Sequence, residues 1–261
     1  MQIVKEFTEP AAVAVKHMNP CGIGIGNSIS EAFKKAYEAD STSIFGGIIA
    51  LNREVDRETA TKLHEIFLEI IIAPAFSQEA LDVLQAKKNI RLLTIPFDEG
   101  NKEEKVLTSV EGGLLLQDQD AYTFADGNIS IPTKREPTAE ELAALKLAWK
   151  VVKHVKSNAI VVVGDDMTLG IGAGQMNRVG AAKIALEQAG ERATGAVMGS
   201  DAFFPMGDTV EEAAKAGITA IIQPGGSSRY YSDHPARWLH SAMKTQSKKL
   251  TNTESPWYSL E

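Results

Sequence analysis

Short, wholly apolar runs alternate along this chain with segments whose apolar positions recur at three- and four-residue spacing. Ala11 to Val15 is the first run and predicts a buried strand. Ser28 or Ser30 can cap a helix to about Ala39, with Ala32, Phe33, Ala36 and Tyr37 on one face. Ser43 to Leu51 reads as a buried strand kinked at Gly46-Gly47, and Arg57 to Ile72 as a helix ended near Pro74. A helix over Ser77 to Gln85, a strand over Ile90 to Ile95, a polar loop from Pro96 to Lys105 and a strand over Gly112 to Gln117 follow. Turn-forming residues crowd Ala125 to Pro137, the best candidate for a linker between halves.

The second half opens on a capping signature, Thr138 with Glu140 and Glu141, that predicts a helix to about His154. A strand over Ala159 to Val163, a hairpin turn at Gly164-Asp165-Asp166 and a helix to about Gln188 come next. Thr194 to Gly199 (strand), Thr209 to Ala216 (helix) and Ile218 to Ile222 (strand) complete the pattern. Strands mostly separated by helices imply an α/β fold with a largely parallel or mixed sheet. The halves echo each other: Gly22-Ile23-Gly24-Ile25-Gly26 matches Gly170-Ile171-Gly172-Ala173-Gly174, and each glycine-rich turn leads into an alanine-rich helix.

Chemistry is concentrated where the first strand ends. Lys16-His17 puts a permanent cation beside a neutral-pH base at a glycine-rich turn, the place where α/β proteins carry their sites. On local sequence alone a strand simply ending in solvent is the favoured reading of the pair. Composition narrows the classes. The chain has 261 residues, 44% hydrophobic and 23% charged, enough for one large domain or two smaller ones. A formal net charge of −7 argues against a general nucleic-acid binder, while leaving local cations free to hold small anions. The single cysteine, Cys21, excludes an intrachain disulfide and a multi-cysteine metal site. No signal peptide or membrane span is visible, so a reducing cytoplasmic setting is the expectation. The first strand begins so close to Met1 that the chain reads as the trailing part of a longer protein.

KHMNPCGIG, SIFGGIIALN, IIIAP, KSNAIV, GIGAGQMNRV, SDAFFPMGD and IIQPGG, in this order, resemble the 5-aminoimidazole-4-carboxamide ribonucleotide (AICAR) transformylase family, whose members are usually fused to IMP cyclohydrolase. The resemblance runs from about Ile3 to Ser227. It implies formyl transfer from 10-formyltetrahydrofolate to the 5-amino group of AICAR, and a homodimer with sites across its interface. The implied fold is a pair of cytidine-deaminase-like αβα layers. On that basis the subdomains are expected at 1–130 and 131–227, followed by a divergent, poorly ordered tail over 228–261.

By the same resemblance, His17 matches the general base, Lys16 the cation beside the formyl oxygen, and Asn158 the amide that orients formyl group and amine. Arg178 matches a residue lining the nucleotide and folate site, with a solvated helix position as the alternative. Phe45 and Gly46 match the part against the nucleotide base. Phe203, Phe204 and Pro205 match a pterin wall with Asp208 nearby, although an FFP run also suits a core. Glu69 fits either an acidic contact to the AICAR carboxamide or a surface helix charge.

The zinc-deaminase signature H-x-E with P-C-x-x-C matches only loosely: Asn19 replaces the glutamate and Gly24 the second cysteine. No catalytic metal is expected. The chain also departs from the family in lacking an R-Y-G-E-N-P-H-Q-like segment ahead of Lys16 and the cyclohydrolase domain, and in its polar sequence after Ser227. Three function classes remain open: an AICAR formyltransferase, an incomplete fragment that keeps the fold and partial ligand binding, and an unrelated nucleotide-binding α/β module. The motif order disfavours the last.

Overall fold

The computed structural model describes residues 1–97, 105–120, 124, 129–131, 133 and 135–224, together with the backbone of 240–243. After a 3₁₀ turn at Val4–Glu6, the first half runs β1 (Ala11–Lys16), β2 (Asn19–Ile25), α1 (Ile29–Ala39), β3 (Gly47–Leu51), α2 (Arg57–His64), β4 (Leu68–Ala73), α3 (Gln78–Leu84) and β5 (Arg91–Thr94). A hairpin of β6 (Lys105–Val110) and β7 (Gly113–Asp118) leads to α4 (Ala139–Val152). Then come β8 (Ile160–Gly164), β9 (Met167–Gly172), α5 (Arg178–Ala189), β10 (Val197–Ser200), α6 (Asp208–Lys215), β11 (Ala220–Pro224) and β12 (His240–Met243).

Ten strands form one mixed sheet in the order β12-β11-β10-β8-β9-β2-β1-β3-β4-β5. In the first half β1 lies antiparallel between β2 and β3, and β3, β4 and β5 are parallel. The second half repeats this pairing, with β8 antiparallel between β9 and β10, and β10, β11 and β12 parallel. The halves meet where β2 runs antiparallel to β9, Gly24 opposite Met167. Alternation along a strand sends successive side chains to opposite faces. Val161 and Val163 join the core under α4, and Ile160 and Val162 the core under α5 and α6. A third core, with Phe33, Ile49, Leu63 and Ile71, lies under α1, α2 and α3.

Local chemistry sets the helix starts. Ser28, Asp56, Ser77 and Asn177 each accept a backbone N–H from the first turn of α1, α2, α3 and α5, and Thr138 with Glu141 completes a capping box on α4. Three sequence expectations need correction. The helix expected over Arg57 to Ile72 stops at His64, because the β-branched run Ile70-Ile71-Ile72 is strand β4. The strand β6 ahead of Gly112 was not anticipated. Gly22 to Ile25 and Gly170 to Gly172 of the two glycine runs are not turns but parts of strands β2 and β9. A Cβ on Gly24 would stand 2.4 Å from the Ala32 carbonyl oxygen, and one on Gly172 1.9 Å from that of Ala181, so glycine here permits helix and strand backbones to touch. The turns proper are His17-Met18 and Asp165-Asp166, two-residue hairpin loops with all four residues at φ between 51° and 67°. About half of the expected linker, Ala125 to Pro137, and nearly all of the tail expected over 228–261 lie outside the described residues. The backbone of His240–Met243 pairs parallel with β11.

Candidate active site

Lys16 and Asn19 face each other at the base of the first hairpin, with His17 and Met18 at its tip. The antiparallel register of β2 on β9 carries this tip to the far end of β9, where β8 also begins. Asn19 closes the junction: its Oδ1 accepts the Lys156 backbone N–H at 3.1 Å. Lys16 and His17 line a cleft of about 350 Å³ that Asn19, Cys21 and Asp40 share. Lys16 Nζ donates to the Phe45 carbonyl, which leaves two of its ammonium protons unassigned. Phe45 is 60% exposed and lies 5.3 Å from the Phe67 ring, while the Gly46 N–H donates to the Phe67 carbonyl at 2.8 Å. Burial and the nearby Asp40 push the Cys21 thiol up to about 11, so it stays protonated and is no nucleophile at neutral pH.

Across the junction, Asn158 is tied on both sides of its amide. Its Nδ2 donates to the Gln175 carbonyl at 2.9 Å, and its Oδ1 accepts from Arg178 Nη2 at 2.7 Å. One amide proton and one oxygen lone pair remain for a ligand. Arg178, at the first position of α5, is not solvated. Its guanidinium also donates to Ser200 Oγ at 3.1 Å and to the Asp201 carboxylate. Asp201 accepts further from the Ala159 N–H at 3.0 Å and from the Ser157 hydroxyl.

The remaining candidates divide. Phe203 is 42% exposed on the loop after β10, and Pro205 and Asp208 are exposed near it. Phe204 is only 2% exposed and belongs to the core under α5 and α6, so its ring is not part of an open wall. Asp208 Oδ1 accepts the Thr209 N–H at 2.7 Å. Glu69 sits on strand β4 rather than a helix, and pairs with Arg91 at 3.0 Å. Asn19, Ser157, Gln175 and Asp201 were not singled out from sequence. For Asp201 the signal lies in the strand pairing rather than the sequence: Ser200 pairs antiparallel with Ile160, which sets Asp201 beside Ala159, next to Asn158.

Among the described residues no group of three or more His, Cys, Asp and Glu side chains is placed to hold a metal ion, and no helix is long and apolar enough to cross a membrane. Lys16 and His17 at the hairpin and the fixed Asn158 amide thus stand at loop ends of a mixed sheet, linked through the Asn19–Lys156 hydrogen bond, where α/β proteins usually carry their sites. A family model described as AICARFT/IMPCHase bienzyme matches residues 1–188. The chain is 74% identical over 229 residues to the bifunctional purine biosynthesis protein PurH of Halalkalibacterium halodurans, and 73% identical over 229 residues to that of Bacillus subtilis. PurH of Bacillus cereus (strain B4264) is 70% identical over the same length. Each alignment covers 88% of this chain and 45% of the relative, so the chain spans less than half the length of the curated relatives it matches. A solved structure, Acinetobacter baumannii RibD, form 2, matches 32% of this chain and 26% of its own at 27% identity with a TM-score of 0.22. The chain belongs to the AICARFT/IMPCHase bienzyme family.

Proposed function

We propose that this chain performs the AICAR formyltransferase reaction of purine biosynthesis, with 10-formyltetrahydrofolate as co-substrate. The observation that carries the proposal is the Asn19–Lys156 hydrogen bond, which joins the Lys16-His17 hairpin to the loop bearing Asn158. In this account the AICAR amine attacks the formyl carbon while His17 takes the amine proton. Lys16 stabilises the oxyanion, and as the bond from carbon to N10 breaks His17 returns that proton to N10, which leaves as tetrahydrofolate. Asn158 offers its spare N–H and lone pair to the formyl group and the amine. Phe45 and Gly46 face the nucleotide base, and Phe203, Pro205 and Asp208 the pterin.

No step is routed through a metal, since Asn19 and Gly24 stand where a zinc deaminase needs a glutamate and a cysteine. The repeated strand pairing supports two cytidine-deaminase-like αβα subdomains, 1–130 and 131–227, related by duplication. A homodimer belongs to the proposal. Leu107, Leu114 and Leu116 share one face of the β6–β7 hairpin, are each more than half exposed and offer an apolar surface for a second copy. The single cysteine, Cys21, suits a cytosolic setting.

Ligand-dependent melting tests the binding half of the proposal. AICAR at about one hundred times its Kd stabilises by about 2.7 kcal/mol, a rise in Tm of about 5–10 °C for a chain of this size. A melt unmoved by both AICAR and 10-formyltetrahydrofolate would sink the proposal. A shift without turnover would mark the chain as an incomplete piece that binds but does not transfer.

A further inference from the structure

We propose that Asp201 is a positioning residue that sets the Asn158 amide through Arg178. The proposal rests on the formyltransferase assignment above, in which Asn158 orients the reacting groups. Asp201 and Arg178 side chains are 15% and 10% exposed, so each depends on the other's charge. The Asp201 carboxylate accepts from three directions: Arg178 Nη1, the Ser157 hydroxyl and the Ala159 N–H. Two of these donors flank Asn158 in sequence, and the third belongs to the residue that holds its Oδ1. Asp201 therefore fixes both the backbone that carries Asn158 and the guanidinium that orients its amide. Ser200 Oγ adds a second acceptor for Arg178 Nη1 and itself donates to the Ala202 carbonyl at 2.7 Å, so it supports the guanidinium without supplying charge.

In Asp201→Asn the side chain keeps its size but holds a single acceptor oxygen, and its NH₂ opposes one of the three donors. Arg178 loses its ionic partner and swings away, and Asn158 Oδ1 loses its donor. Charge-assisted hydrogen bonds of this kind support a kcat fall of about ten- to a hundredfold, with the KM for AICAR changed less than about threefold. The side-chain ¹H–¹⁵N signal of Asn158, observed in protein labelled at asparagine, reports the same change without turnover. It moves toward the free-amide position in Asp201→Asn and stays in place in Ser157→Ala, which leaves the Arg178 pair intact.

A purely structural role would lower Tm while leaving the Asn158 signal and kcat unchanged, and that result overturns the proposal. So does a Ser157→Ala variant that matches Asp201→Asn in both readouts. If Asp201→Asn does not fold, Arg178→Lys takes its place, since it keeps the charge and removes the fork that reaches Asn158. An unmoved Asn158 signal in that variant is equally fatal. Absence of turnover in the wild-type chain refutes the formyltransferase assignment, and the Asn158 signal then decides alone whether Asp201 holds the amide.

Discussion

Replacing Gly172 with alanine tests why the fold repeats its glycines. The added Cβ would stand 1.9 Å from the Ala181 carbonyl oxygen and 2.6 Å from its carbon, both backbone atoms that cannot rotate aside. Helix α5 must withdraw by about 1.5 Å or more to restore an ordinary contact. Ala181, Ala182 and Ala185 are fully buried and Ala189 nearly so, and all four lie in the core beneath that helix. Loosening four methyl contacts at about 0.8 kcal/mol each gives about 3 kcal/mol, the upper end of the usual overpacking cost. The Tm should fall by about 6–12 °C. Gly174→Ala is the control. Its φ is +67° and only the Lys156 side chain lies near, at 3.8 Å, so it incurs the left-handed penalty alone. That is about 1–2 kcal/mol, or about 2–8 °C. Thermal unfolding followed by circular dichroism separates the two. If Gly172→Ala melts at or above Gly174→Ala, close helix–strand approach is not what the glycine run provides.

Other outcomes follow from the same geometry. Glu141 is held down to about 2, first by the hydrogen bond from Arg135. A depressed carboxyl contributes stability above its unfolded value near 4.5 and loses it as pH falls toward 2. Glu141→Gln should therefore cost about 1–2 kcal/mol at pH 7 and progressively less below pH 4, and denaturant titrations showing a pH-independent cost would contradict this. Phe204→Ala should cost about 3–5 kcal/mol in urea unfolding because its ring is core. Phe203→Ala should leave stability within about 1 kcal/mol and weaken folate binding instead; equal destabilisation by both would reverse the assignment.

The caps on α1 and α4 could be read in sequence because Ser28 and Thr138 act within four residues of themselves. The β8–β9 turn was legible for the same reason. Gly22 to Gly26 was not, since what demands glycine there is α1 lying across β2, a contact between elements. Ile70-Ile71-Ile72 is apolar enough to extend a helical pattern, and its place as strand β4 comes from pairing with β3 and β5. At the site, Lys16, His17 and Asn158 were named from motifs, but their supports Asn19 and Asp201 act across 137 and 42–44 residues of chain. Such partners become visible only once the strand order is known. Phe204 was misplaced for a related reason: adjacent residues on an irregular loop face opposite ways, and sequence does not say which.

Formyl transfer itself is the most direct test. Tetrahydrofolate release from 10-formyltetrahydrofolate, followed by absorbance in the presence of AICAR, should proceed with the wild-type chain. It should fall by about 10²–10⁴-fold in a folded His17→Ala variant. Equal rates in the two proteins would contradict the assignment of this hairpin as the catalytic centre, and no release by a folded wild-type chain at saturating ligand would contradict the claim that this chain performs the transfer.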